Sequence, residues 1–243
     1  MSGHSHAKTI KHAKEITDQK RGQIFSKMAR LISIAVKEGG ADPETNAKLK
    51  TAIERARSFN MPGDNIDRAI KQATGAGGGG NLSEFLFDAY GPGGISIVIE
   101  GITDNKNRTL GEIKQILNQY NGKLAQEGSV RWSFERKGII VIAENQPEPE
   151  NNKETLELKA IEAGAQDLFW QENLLEIHTL ANDLQKVKNE LEKQKIKIES
   201  ASIGWVAKNE IGTPENEKQQ AEKLFLALDE NNDVQDVYSN LKE

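Results

Sequence analysis

The sequence has no cysteine, few aromatic residues and no long apolar stretch. Without cysteine the chain cannot form a disulfide, use a thiolate as a nucleophile or bind zinc through sulfur. Aromatic residues make up only 5% of its 243 residues, but hydrophobic and charged residues reach 36% and 28%, which is typical of globular chains. No apolar run approaches the roughly 18 residues of a membrane span, and the first residues lack the apolar segment of a secretory signal. We therefore expect a soluble, cytoplasmic protein with no membrane partner.

Catalytic and cofactor-binding motifs are also missing. There is no GxSxG motif, and the carboxylates fall on predicted helix faces and in turns, where exposure to solvent explains them. The glycine run GAGGGG at 75–80 lacks the Gly-Lys-Ser or Gly-Lys-Thr ending of a phosphate-binding loop, so we interpret it as a flexible linker. No acid lies among His4, His6 and His12, which argues against a metal site there. We expect no catalysis, no cofactor and no small-molecule substrate, and keep an unrecognised enzyme as an alternative.

Charge is unevenly distributed along the chain. Residues 1–80 carry 14 Lys and Arg against 8 Asp and Glu, a net charge of +6, and the remaining residues carry 18 against 29, a net charge of −11. A basic module joined to an acidic body is typical of proteins that contact nucleic acid, because a local basic patch attracts phosphate whatever the overall charge. An ordinary solvated helical surface has the same composition, so both interpretations stay open.

Three amphipathic helices are predicted before the glycine run. Apolar residues recur on one face of a helix over 22–37, which ends at a pair of glycines. The pair Asp42-Pro43 has the form of an N-cap followed by proline in the first turn, and predicts the start of a second helix. Met61-Pro62 predicts the start of a third.

After the glycine run the pattern changes to strands mixed with helices. FLFDAY and ISIVIE flank the turn GPGG, which predicts a hairpin. The loop TDNKNRT at 103–109 leads into an amphipathic helix. SVRWSF then alternates, which predicts a strand with Val130, Trp132 and Phe134 on its buried side.

From residue 137 the elements follow the order βαββαβ, which is that of a ferredoxin-like domain. His178 falls in one of its strands and is predicted to lie at the surface or the edge. The tail adds a helix from Pro214 and a strand, the elements that 81–135 lacks. We therefore expect an α+β protein with a helical N-terminal domain and two ferredoxin-like α/β domains, the third inserted into the second. The expected boundaries are 1–80, 81–136 plus 206–243, and 137–205.

The loop TDNKNRT has two interpretations at this point. Its Thr, Asp and Asn residues are good turn and N-cap residues, so the loop can serve only to end a strand and begin a helix. Alternatively, Lys106, Asn107 and Arg108 contact a phosphate together with nearby helix amides.

Seven motifs resemble, in order and spacing, those of the YebC/PmpR family. They are GHS at 3–5, IKH at 10–12, KRGQIFSK at 20–27, NMPGDNIDRAI at 60–70, YGPGG at 90–94, TDNKNRT at 103–109 and GSVRWSFERKG at 128–138. The family includes bacterial proteins described as probable transcriptional regulators and the mitochondrial translational activator of cytochrome oxidase subunit one. Where the family usually has GHSKW, this chain has GHSHA, so His6 and Ala7 replace a basic and an aromatic residue.

The resemblance implies a non-catalytic regulator that binds DNA, ribosomal RNA or the ribosome. Its relatives act as transcription regulators or as ribosome-associated factors that help translation through consecutive prolines. A protein-binding adaptor that uses the acidic domains is the alternative. We expect the nucleic-acid contacts of the first domain to be made mainly to the phosphate backbone by Lys8, Lys11, His12, Lys14, Lys20, Arg21, Lys27 and Arg30.

Overall fold

The computed structural model describes residues 18–75, 81–147 and 152–242. In chain order its helices and strands are α1 (Asp18–Gly39), α2 (Ala47–Ser58), α3 (Gly63–Thr74), β1 (Ser83–Tyr90), β2 (Ser96–Thr103), α4 (Lys106–Gln119), β3 (Lys123–Leu124), β4 (Phe134–Ala143), α5 (Lys153–Ala163), β5 (Asp167–Gln171), β6 (Leu174–Leu180), α6 (Leu184–Lys193), β7 (Ile198–Ala207), α7 (Glu215–Asp229) and β8 (Val234–Ser239). Within those ranges, no helix combines the length and the apolar character needed to cross a membrane. The predicted glycine linker lies outside the described residues except for Gly75.

Helices α1, α2 and α3 share one apolar core. Met28 and Ile32 of α1, Leu49 and Ile53 of α2, and Ile66 of α3 are all buried in it. Their spacing of three or four residues places the apolar side chains of each helix on one face, which explains why this sequence forms three packed helices. The three predicted helices are present.

The start of α2 differs from its prediction. Asp42 and Pro43 form a turn, and the helix begins four residues later at Ala47. Asn46 is the actual N-cap: its side-chain oxygen accepts a hydrogen bond from the Leu49 amide at 3.0 Å, and its Nδ2 donates to the carbonyl of Ala35 at 2.7 Å. Because the second of these bonds reaches back to α1, Asn46 also fixes the connection between the two helices.

The first sheet has the strand order β3-β1-β2-β8 and is antiparallel. The predicted hairpin is present, with Tyr90 paired to Ser96 across the turn. Helices α4 and α7 cover the sheet through a core that includes Ile97, Ile113 and Phe225. Strand β8 therefore joins β1 and β2 although more than 130 residues separate it from β2.

The second sheet has the strand order β5-β6-β4-β7 and lies in a separate compact unit of residues 136–206. Numbered within the unit, that order is 2-3-1-4, the arrangement of a ferredoxin-like sandwich. Its core includes Ile140, Leu156, Ile177 and Leu191. The predicted α+β class is confirmed, with a helical region followed by two antiparallel sheets. The three domain boundaries stay a prediction.

The segment SVRWSF departs from its predicted strand. Arg131–Ser133 form a short 3₁₀ turn, and β4 begins only at Phe134. Val130 and Phe134 are buried as expected, but Trp132 is 72% exposed. The prediction that Trp132 is buried was therefore wrong, because the turn rotates its side chain away from the direction that strand alternation gives.

Candidate nucleic-acid interface

The predicted basic residues of the helical region lie in different environments. Lys8, Lys11, His12 and Lys14 lie outside the described residues. Lys20 and Arg21, in the first turn of α1, are exposed. Lys27 and Arg30 form ion pairs with acids in the C-terminal part of the chain. The first turn of α1 is thus basic and exposed, and the middle of the helix carries two cations that contact Asp229 and Asp233.

The acidic partners of Lys27 and Arg30 belong to residues 229–236. These residues comprise the last residue of α7, the connection after it and the start of β8, and we call them the acidic loop. Lys27 is only 6% exposed, and its ammonium group lies 3.3 Å from Asp229 Oδ1 and also donates to the Asp229 carbonyl. Gln23 donates to the carbonyl of Glu230, and Gln235 donates back to the carbonyl of Lys27 at 3.3 Å. Lys27 therefore holds α1 against the acidic loop.

Asp233 is the centre of the acidic loop and is only 2% exposed. One carboxylate oxygen accepts a hydrogen bond from Arg30. The other accepts from Arg108 at 2.6 Å, Thr109 at 2.6 Å and Thr103 at 3.1 Å. Two cations and two hydroxyl groups thus surround one buried carboxylate, which satisfies the requirement that a buried charge be paired and hydrogen-bonded.

These bonds determine the acidity of Asp233. Burial alone would raise the pKa of its carboxyl group, because burial favours the neutral form. Hydrogen bonds from Thr109, Arg108 and Arg30 stabilise the carboxylate by more than burial destabilises it, so the pKa of Asp233 lies below its usual value. Asp233 is therefore ionised at neutral pH.

A further ion pair joins α2 to β8. Arg55 makes a bidentate contact with Asp236, with N–O distances of 2.8 and 2.6 Å, and both side chains are largely buried. Beside this pair the Tyr238 hydroxyl donates to Glu100 at 2.8 Å. Burial and the negative charges of Asp236 and Glu100 raise the pKa of Tyr238 well above its usual value.

These ion pairs change how the uneven charge of the chain must be interpreted. Lys27, Arg30 and Arg55 of the basic module are paired with acids of the C-terminal part, and Lys48 pairs with Glu84 at 2.7 Å. Part of the charge asymmetry therefore serves to attach the helices to the first sheet. Only the basic residues that remain exposed can attract phosphate.

The loop TDNKNRT performs the structural role that its composition allows. Asn105 is the N-cap of α4, since its side-chain oxygen accepts a hydrogen bond from the Arg108 amide at 3.1 Å. Arg108 is 42% exposed and contacts Asp104 at 2.9 Å as well as Asp233. Lys106 and Asn107 are exposed in the first turn of α4. The loop therefore caps a helix and supports Asp233, and its contact with phosphate stays a prediction.

The prediction for His178 was wrong. The residue lies on β6, an inner strand of the second sheet, and is only 1% exposed. Its Nε2 lies 2.7 Å from Oε1 of Glu176, which is buried two residues earlier on the same strand. Alternation along β6 places both side chains on one face, but a local pattern does not reveal that this face is buried. The described residues contain no cluster of three or more histidines and acids suited to a metal ion.

By its fold, the protein is an α+β protein in which a basic helical module precedes two sheets. Two family models match the chain: the TACO1/YebC N-terminal domain over residues 5–76, and the TACO1/YebC second and third domain over residues 82–241. The chain belongs to the TACO1/YebC family.

Curated relatives match the chain over its whole length. A protein of Caldanaerobacter subterraneus subsp. tengcongensis, named "Probable transcriptional regulatory protein", is 46% identical over 100% of this chain and 98% of its own. A protein of Thermoanaerobacter pseudethanolicus with the same description is 45% identical over 100% of this chain and 97% of its own. The crystal structure of a conserved hypothetical protein from Aquifex aeolicus is 39% identical, has a TM-score of 0.86 and covers 93% of this chain and 91% of that one.

Proposed function

We propose that this protein is a non-catalytic regulator of gene expression that binds nucleic acid through the exposed cations at the start of α1. The observation that carries the proposal is the exposure of Lys20 and Arg21, in a family whose curated relatives are named "Probable transcriptional regulatory protein". Two adjacent cations in a first helical turn can each contact a phosphate without reading a base. The partner is DNA or ribosomal RNA, and the protein acts in the cytoplasm.

The buried ion pairs divide the predicted contact residues into two groups. Lys27 is almost fully enclosed and paired with Asp229, and Arg30 is held by Asp233, so both hold α1 in place. We assign the phosphate contacts to Lys20 and Arg21, together with the predicted Lys8, Lys11, His12 and Lys14. Lys106 and Asn107 are exposed and form a second candidate contact at the start of α4.

The double substitution Lys20→Ala and Arg21→Ala is expected to weaken nucleic-acid binding and its dependence on salt. Removing two phosphate contacts lowers the slope of log affinity against log salt concentration by about 2 for duplex DNA. Fluorescence anisotropy of labelled duplex DNA and of a ribosomal RNA fragment, measured from low to moderate salt, gives both slopes.

The matched control is Lys186→Ala with Lys223→Ala, which removes two exposed lysines from α6 and α7. Equal slopes for the Lys20/Arg21 variant and the unaltered protein would refute these two contacts. If the unaltered protein binds neither duplex DNA nor the ribosomal RNA fragment at low salt, the proposed function is refuted. A clear preference for one nucleic acid identifies the partner, which ribosome profiling and promoter occupancy in a deletion strain then test in cells.

A further inference from the structure

Trp132 is the most exposed large hydrophobic side chain among the described residues. The residue is 72% exposed, although it lies between Val130 and Phe134, which are both buried. Exposing an indole to water forgoes the stabilisation that burial of a large aromatic group provides. The fold therefore holds a large apolar surface outward at this point.

Trp132 is held in a fixed position. Its indole Nε1 donates to the carbonyl of Ser129 at 2.8 Å, and the Ser133 amide donates to the carbonyl of Val130 at 3.0 Å, which closes the turn. The exposed ring is consequently pre-organised, so a ligand that stacks on it loses little freedom to order it.

Asp88 anchors this turn to the first sheet. Its side chain is fully buried, with Oδ1 2.8 Å from Arg131 Nε and Oδ2 accepting from the Val130 amide at 3.2 Å. Arg131 also contacts Glu127 at 3.1 Å. The charge of Arg131 is thus offset by two acids, and the guanidinium serves to position the turn.

Lys208 supplies a positive charge at the backbone of Trp132. Its ammonium group donates to the Trp132 carbonyl at 2.9 Å, and its amide donates to the carbonyl of Ser133 at 2.9 Å. A carbonyl oxygen is neutral, so it orients the ammonium group without cancelling its charge. The turn that exposes the indole therefore also binds a cation through its backbone carbonyl groups.

An exposed indole and an ammonium group bound at the backbone of the same residue match the chemistry of an unpaired nucleotide, which offers a flat base and an anionic phosphate. Base stacking on aromatic side chains is the main sequence-tolerant contact in single-strand binding. In a duplex the base faces are already stacked on each other, so such a site selects single-stranded segments. An apolar protein surface would complement the indole but not the adjacent charge.

We propose that Trp132 and Lys208 form a binding site for one unpaired nucleotide, with the base stacked on the indole and its phosphate at the ammonium group. This inference rests on the proposed function, since it assigns a second contact to the same nucleic-acid partner. It adds recognition of single-stranded segments to the phosphate contacts of α1.

The test compares Trp132→Ala, Trp132→Phe and the unaltered protein for binding to labelled single-stranded RNA, single-stranded DNA and duplex DNA. Trp132→Ala is expected to weaken single-strand binding by about 5- to 150-fold, the range of one lost base stack, and to leave duplex binding unchanged. Trp132→Phe retains a ring and is expected to lose much less. Leu158→Ala, which truncates another exposed apolar side chain, is the matched control and should leave binding unchanged.

Indole fluorescence provides an independent readout. The difference in fluorescence emission between the unaltered protein and Trp132→Phe is the emission of Trp132. This emission is expected to fall when single-stranded RNA binds. Equal single-strand affinities of Trp132→Ala and the unaltered protein would overturn this inference and leave the proposed function intact. If Trp132→Ala instead changes only self-association in sedimentation, the indole is a protein contact and the inference is overturned. Absence of any nucleic-acid binding by the unaltered protein would overturn both proposals.

Discussion

Asp233→Asn is expected to lower the free energy of unfolding by about 3 kcal/mol at neutral pH. The substitution removes the only negative charge that contacts both Arg30 and Arg108 at the centre of the acidic loop among the described contacts. An amide can still accept one hydrogen bond, from Thr109 for example, but its NH₂ group faces the same guanidinium donors. Denaturant-induced unfolding followed by circular dichroism measures the change.

Asp104→Asn is the matched control for Asp233→Asn. Asp104 also contacts Arg108, at 2.9 Å, but its side chain is 55% exposed. Exposed ion pairs contribute at most about 1 kcal/mol, because water and salt screen them. If both variants lose the same free energy of unfolding, burial does not increase the contribution of Asp233, and its assignment as the centre of the acidic loop is refuted.

The effect of Asp233→Asn is expected to depend on pH. The folded pKa of Asp233 lies below its unfolded value, so its carboxylate contributes stability above the unfolded pKa of about 4, and this contribution is lost as the pH falls through the folded pKa. The difference in melting temperature between the variant and the unaltered protein should therefore be complete at pH 7 and shrink as the pH falls below about 4. A constant difference down to pH 2 would contradict the assignment.

Gly101→Ala is expected to lower the free energy of unfolding by about 3 kcal/mol or more. Gly101 lies at the irregularity where the pairing of β2 with β8 changes register. A methyl group there would overlap the carbonyl oxygen of Asp233 and lie 2.6 Å from Cζ of Phe85. Backbone on one side and a buried ring on the other leave no flexible atom to move aside, so β8 must shift and the contacts of Asp233 must weaken.

Gly111→Ala is the matched control for Gly101→Ala. It makes the same chemical change within α4, where an added methyl group meets nothing within 4 Å. Alanine favours the helix, so the free energy of unfolding should rise by about 0.5–1 kcal/mol. Opposite signs for the two variants in the same denaturation assay support the close approach at Gly101, and a neutral Gly101→Ala refutes it.

The fold could be predicted where local patterns determine structure. Amphipathic spacing located α1, and the order of elements after residue 137 predicted a ferredoxin-like sheet whose strand order the structure contains. The errors arose where a distant partner decides the outcome. Trp132 follows strand alternation locally, but Asp88, more than 40 residues earlier, helps to hold that segment in a turn.

The candidate site was less predictable than the fold for the same reason. Lys27 and Lys20 look equivalent in the sequence, since both are lysines seven residues apart on one helix. The structure distinguishes them, because Lys27 is buried and paired with Asp229 whereas Lys20 is exposed. Composition records the number of charges on each part of the chain, but it does not record which of them neutralise each other.

The long separation between the acidic loop and its basic partners has a consequence for synthesis. Asp229 and Asp233 follow Lys27 and Arg30 by 202 and 203 residues. At about 5–20 residues per second, a ribosome needs roughly 10 to 40 seconds to add that interval, during which α1 emerges without these acids. Residues 136–206 have been synthesised before the acidic loop. All strands of the second sheet are therefore present at a time when the first sheet still lacks β8. The newest part of the growing chain therefore completes the attachment of the oldest described helix.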